Sequence, residues 1–188
     1  INNKHVNNLY FSEKKLPENI VATTDLENSI KNAKTIILSV PTDATRQIMN
    51  SINGNLKEDQ IIISTAKGIE ENTYLRNSEI ITKKCDNEVA VLSGPTHAEE
   101  VIDDLPSAAV IAAQKRQVAE MVQDMFMSKT FRVYTNPDVV GVEMGGAIKN
   151  IIAIAAGIAD GLGYGDNTLA ALMTRGLTEI SRLGTYFD

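Results

Sequence analysis

Four short apolar runs recur along the chain, most of them rich in β-branched residues: TIILSV at 35–40, QIIIST at 60–65, EVAVL at 88–92 and SAAVIAA at 107–113. Runs this short and this apolar fit strands buried in a sheet, and Pro41 ends the first of them, which is expected to be buried on both faces. Segments with helical spacing alternate with the strands. Ala44, Ile48 and Ile52 recur at steps of four and predict a helix over 43–52. Further helices are predicted over 73–84 and 117–127, and a last strand over 130–134. This alternation specifies an α/β fold with a mostly parallel sheet, because helices serve as the crossovers between parallel strands. Beyond Asn136 and Pro137 the strand signals cease. A boundary is therefore expected near Asp138, with residues 1–138 forming the sheet domain and 139–188 beginning a helical one.

Composition removes several function classes. The formal net charge of −6, with no stripe of Lys and Arg, argues against a nucleic-acid surface. Cys85 is the single cysteine, so no intrachain disulfide forms, which suits a reducing cytosol. The polar opening INNKHVNNLYF lacks the apolar core of a signal peptide. The longest apolar run, 151–158, falls well short of the roughly 20 residues that cross a bilayer. A soluble, cytoplasmic chain with no membrane partner is expected. Ile1 opens the chain in place of Met, and RLGTYFD closes it without capping logic, so flanking segments are expected to be absent.

In parallel sheets, ligands sit beyond the carboxyl ends of the strands. Three segments fall there: VPT, AKG and SGPTHA. Lys67 of AKG is placed to reach over the sheet edge, or is a plain surface lysine at a strand end. Ser93-Gly94-Pro95-Thr96 offers a hydroxyl and backbone N–H groups at a helix start, either a modest anion site or a loop with Thr96 as N-cap. His97 beside Glu99 and Glu100 has no second His or Cys at ligand spacing, so no metal is expected. Lys149 stands in a run of Gly, Ala and Ile, where an ammonium is costly unless an anion or a reaction needs it. It shares a helical face with Ala153, Ala156 and Asp160; a lysine that snorkels to water remains the alternative. Gly161, Gly163 and Gly165 follow a helix and predict a helix-ending turn, not a phosphate loop. Asp166, Asn167 and Thr168 read as the cap of the next helix, and Arg175, Glu179 and Arg182 as a surface ion-pair ladder.

Taken in order, KLPENIVATTDL, SVPTDATR, STAKGIE, LSGPTHAEEV, FRVYTNPDVVGVEMGGAIKN and GIADGLGYGDNTLAALMTRGLTEISRLG closely resemble the bacterial NAD(P)-dependent glycerol-3-phosphate dehydrogenase family. The resemblance implies a Rossmann-like sheet domain, here without its first strand and glycine-rich loop, followed by the start of an all-helical domain. It implies an oxidoreductase that interconverts sn-glycerol 3-phosphate and dihydroxyacetone phosphate with NAD or NADP, feeding glycerophospholipid synthesis. By the same resemblance Lys149 is the catalytic acid/base. Lys67 contacts substrate and cofactor, Gly94 and Thr96 match substrate-pocket positions, Ala98 a cofactor position, and Asn150 a neighbour of the substrate phosphate or hydroxyls. The family's acidic partner and its Arg-Asn pair are expected beyond Asp188. The isolated chain is therefore expected to bind dinucleotide poorly and to turn over little. Two other readings stand beside this one: an inactive folding or dimerisation module, homodimeric, and a related two-domain hydroxy-acid dehydrogenase.

Overall fold

A computed structural model describes residues 1–187. The chain opens with a small antiparallel hairpin, β1 (Val6–Asn7) and β2 (Phe11–Lys15), followed by the short helix α1 (Leu26–Ile30). Asp25 caps α1 by accepting the Asn28 backbone N–H at 3.0 Å.

The predicted strands then assemble in chain order into one five-stranded sheet: β3 (Thr35–Leu38), β4 (Ile61–Ser64), β5 (Glu88–Ser93), β6 (Ser107–Ala113) and β7 (Phe131–Asn136). Every pairing is parallel except β5 with β6, where Ser93 faces Val110. Between those two strands lies only the five-residue helix α4 (Ala98–Ile102), which stays at the carboxyl end of β5 and does not cross the sheet.

Alternation along the strands builds two cores. On one face Ile63, Ala90, Ile111 and Val133 pack with Val118 and Val122 of α5 (Arg116–Phe126). On the other, Ile36, Leu38 and Ile62 meet Met49 and Ile52 of α2 (Thr42–Ile52), Ile81 of α3 (Asn77–Thr82) and Ile30 of α1. This two-sided burial is why QIIIST reads as an unbroken apolar run. The first strand departs from expectation. β3 is an edge, Ile37 is 48% exposed, and burial is complete on one face only.

α3 is also shorter than the helix predicted over 73–84. Asn72 and Tyr74 adopt positive φ (67° and 57°), and Ile69 bridges Arg76, so 69–76 folds as a turn. The turn is held from outside. Arg46 of α2 grips the Glu70 carboxylate through two hydrogen bonds of 2.7 and 2.6 Å, and the Thr73 hydroxyl donates to the same group. A tertiary pairing thus overrides the local helical pattern.

Two long helices close the described chain, α6 (Val139–Gly161) and α7 (Gly165–Phe187), packed on each other. α6 ends as the glycines predict. Gly163 takes φ +72°, its N–H reaches the Asp160 carbonyl at 2.9 Å, and the Tyr164 N–H reaches the Ala159 carbonyl at 3.1 Å, a Schellman closure. Asp166, Asn167 and Thr168 lie inside α7 and do not precede it, so they are not its cap. The helices cross most tightly at Gly176, where a Cβ would lie 2.8 Å from Ile152 Cδ1. α6 is 23 residues long and contains an 18-residue stretch of mean hydropathy 1.5, so by length and composition alone it passes for a membrane span. Its opening turns, however, pack on β5 and β6 and carry a buried, ion-paired Glu143.

Candidate functional site

A cleft of about 550 Å³ opens at the carboxyl ends of β3, β4 and β5. Its polar lining includes Ser39, Thr65, Lys67, Ser93 and Thr96, each placed at or just past a strand end. Leu92, Ala109, Phe126 and Phe131 supply apolar lining, and Asp104, Ser128 and Thr130 add further polar groups. Ser39 and Thr65 share a hydrogen bond of 2.6 Å between their hydroxyls and tie the first two strand ends together. Neither stood out in the sequence. The signal was present, since each directly follows an apolar strand.

Lys67 enters this cleft and donates to the Thr96 hydroxyl at 3.4 Å. Desolvation of its ammonium, and then the positive charge of Lys149, lower its pKa below the ordinary lysine value. The charge of Lys149, 82 positions later in the chain, therefore reaches Lys67 through space. Lys149 is half-buried, not enclosed, so the burial cost suggested by its sequence context is smaller than expected. What brings α6 to the site is glycine. A Cβ on Gly146 would lie 2.5 Å from Ser93 Oγ and 3.8 Å from Lys67 Cγ, so the glycine lets the helix approach closely without turning the Ser93 hydroxyl aside.

The remaining predicted residues divide. Thr96 and Ala98 line the cleft beside Lys67. Gly94 lies against β6: a Cβ there would meet the Ala108 carbonyl oxygen at 2.7 Å and Ala109 Cα at 2.8 Å, so close backbone packing explains this glycine. Asn150 is exposed and lies outside the lining. Thr96 is not the N-cap of α4; His97 holds that position without a side-chain cap bond, and Thr96 is turned toward Lys67. α4 is short and carries Glu99 and Glu100 in its first turn, so the positive character of the site comes from Lys67, with Lys149 outside the lining, and not from a helix end. His97 is an exposed loop residue 4.0 Å from Glu99. Among the described residues no three His, Cys, Asp or Glu side chains converge as a metal site would require. Hydroxyls and an ammonium at parallel strand ends can hold an anionic group, in a lining that also includes the carboxylate of Asp104.

Sequence reasoning missed the most buried charge near the site. Glu143 in α6 has a side chain only 3% exposed and pairs with Arg76 at 2.8 Å. Its one sequence signal is an acid in an apolar helical stretch, six residues before Lys149.

Comparison with known proteins supplies what geometry leaves open. Residues 1–119 match the model of the NAD-dependent glycerol-3-phosphate dehydrogenase N-terminus, and residues 138–188 match that of its C-terminus. A glycerol-3-phosphate dehydrogenase [NAD(P)+] of Halothermothrix orenii is 65% identical over 187 residues, covering 100% of this chain and 55% of its own length. That of Clostridium acetobutylicum is 54% identical, covering 95% of this chain and 56% of its own length. The chain thus spans about half the length of the curated relatives it matches. Among solved structures, glycerol-3-phosphate dehydrogenase from Coxiella burnetii superposes with a TM-score of 0.92 at 35% identity, over 100% of this chain and 57% of that one. The Plasmodium falciparum structure gives a TM-score of 0.93 at 31% identity, over 100% of this chain and 53% of that one.

Proposed function

The chain belongs to the NAD-dependent glycerol-3-phosphate dehydrogenase family, and from that premise we propose that it forms part of an oxidoreductase interconverting sn-glycerol 3-phosphate and dihydroxyacetone phosphate with NAD or NADP. Such an activity feeds glycerophospholipid synthesis. The observation that carries the reading is the cationic end of the strand-end cleft, where Lys67 donates to Thr96 and its pKa is lowered by desolvation and by Lys149. Bound nicotinamide supplies the hydride in one direction and accepts it in the other. Reducing the ketone builds negative charge on its oxygen, which the Lys149 ammonium stabilises and then protonates. In the oxidative direction Lys149 takes the hydroxyl proton. Lys67 is the second cation, touching substrate and cofactor, and the substrate phosphate offsets both charges. Thr96 and the Gly94 backbone border the substrate, Ala98 the cofactor, and Asn150 the substrate phosphate or hydroxyls.

The same reading divides the protein near residue 138 into a dinucleotide-binding part and the beginning of a helical one. It places the protein in the cytoplasm, with a small phosphorylated three-carbon substrate and neither nucleic acid nor membrane as partner. A second reading, a homodimerising module, draws support from one observation: Ile151, Ile154, Ile158 and Leu177 leave apolar faces of α6 and α7 open. Sedimentation over a range of concentrations separates the two, since a monomer at all concentrations removes the module.

The chemistry is tested in a chimaera that flanks this chain with the remaining segments of the Halothermothrix orenii relative. Lys149→Ala is expected to lower kcat by about 10²- to 10⁴-fold with folding intact. Preserved kcat removes Lys149 from the reaction. The isolated chain is expected to turn over little, and native-like turnover by it overturns the view that the site needs further segments.

A further inference from the structure

Glu143 lies six residues before Lys149, and its carboxylate is fully engaged by residues from the start of α3. One oxygen accepts the Ser78 backbone N–H at 2.8 Å. The other accepts the Ser78 hydroxyl at 2.5 Å and the Arg76 guanidinium at 2.8 Å. Asn77, between them, bonds to a different set. Its amide donates to the Gly68 carbonyl at 3.1 Å and to the Thr42 hydroxyl at 3.2 Å, and its oxygen accepts from Thr45 at 2.9 Å. Asn77 and Thr45 are essentially inaccessible to water, at 1% and 0% exposure. Arg76 also bridges Ile69, two residues past Lys67. Three consecutive residues therefore hold the Lys67 loop through Asn77 and Arg76, and the Lys149 helix through Arg76 and Ser78.

The helix has little room to shift toward the sheet, because Gly146 already abuts Ser93. It is kept from moving away by the Glu143 bonds. Buried apolar contacts tolerate sliding, whereas three short bonds to one carboxylate fix both distance and direction. Resting on the two-lysine reading above, we propose that Glu143 is a positioning residue: its bonds to Arg76 and Ser78 set the spacing of Lys149 from Lys67 in the candidate site.

The test follows the titration of Lys67 in the chain itself, by NMR of ¹³C-methylated lysines, with the signal assigned by Lys67→Arg. Lys149→Met is the reference and is expected to raise the Lys67 midpoint, since it removes a neighbouring positive charge. Glu143→Gln is expected to raise it toward the same value, and the double variant to stand no higher than Lys149→Met alone. Loss of the Glu143 charge acting directly on Lys67 moves the midpoint down, so the sign separates positioning from simple electrostatics. A merely structural role lowers thermal stability and leaves the midpoint in place. A Glu143→Gln protein that folds, by circular dichroism, with Lys67 titrating as in wild type or lower, overturns the proposal. Should that variant not fold, Glu143→Asp keeps the charge on a shorter stem; an intermediate midpoint supports the proposal and an unmoved one overturns it. If Lys149→Met leaves Lys67 unmoved, the shared-site reading itself falls and takes this proposal with it. A shift with Lys149→Met and none with the Glu143 variants defeats the proposal alone.

Discussion

On α6, the Glu143 side chain is 3% exposed and is bound by Arg76 and Ser78, which lie 67 and 65 positions upstream. On α7, Glu179 is 49% exposed and bridges Arg175 and Arg182 of its own helix. Both clusters pair a glutamate with arginine, yet they do opposite work. The α7 ladder joins residues that the helix had already brought together, in high dielectric, and holds nothing else in place. The α6 cluster joins two elements that sequence separates and takes the Glu143 carboxylate out of water; if that glutamate is lost, Arg76 keeps only the looser pairing with the partly exposed Glu79 at 3.3 Å. Spacing along the chain announces the first kind of pair and is silent about the second.

The comparison predicts a graded series. Glu143→Ala is expected to cost about 2–4 kcal/mol in urea unfolding, because it removes three hydrogen bonds and leaves the buried Ser78 N–H and hydroxyl without their partner. The paired change Arg76→Met with Glu143→Leu is expected to regain part of that loss, since two apolar side chains need no partners. If the paired variant is as unstable as the single one, the penalty comes from Ser78 and lost packing and not from the weakened pairing of Arg76.

Arg46 and Glu70 stand between the extremes, with side chains 33% and 12% exposed. Hydrogen bonds from Arg46, and then from Thr73, hold the Glu70 carboxyl down at about 2 against an ordinary 4.5. A carboxylate depressed in the folded state contributes stability above its unfolded pKa and loses it as pH falls through the folded value. Arg46→Met is therefore expected to melt earlier than wild type at pH 6, with the gap closing between about pH 4.5 and 2. A gap that persists at pH 2 assigns the effect of Arg46 to packing. The smallest effect belongs to α7. Glu179→Ala is expected to change stability by only a few tenths of a kcal/mol for each lost pair, and 1 M salt is expected to erase the difference. A loss of several kcal/mol there breaks the contrast between the two helices.

The sheet was legible because burial on two faces leaves a compositional mark: the strand runs at 60–65, 88–92 and 107–113 coincide closely with β4, β5 and β6. The glycine turn after α6 and the α7 ladder were legible for the same kind of reason, since each is a local pattern with a local cause. The turn over 69–76 was not, because a distant arginine fixes it. The one-sided burial of β3 depends on neighbours in space, which TIILSV does not encode. At the site, Lys67, Thr96 and Ala98 line one cleft, whereas Gly94 is explained by packing on β6 and Lys149 and Asn150 stand outside the lining.

Apolar periodicity alone determined that this chain builds an α/β sheet followed by helices, because burying each run demands a strand or helix of that period. The ordered motifs determined its family. Only the tertiary structure decided which strand runs antiparallel, which residues line the cleft, and that the charge of Lys149 reaches Lys67. It also decided that a buried glutamate ties the helix bearing one lysine to the loop bearing the other. Such pairings depend on distances between elements far apart in the chain, and the free energy of a charge depends on what surrounds it in space.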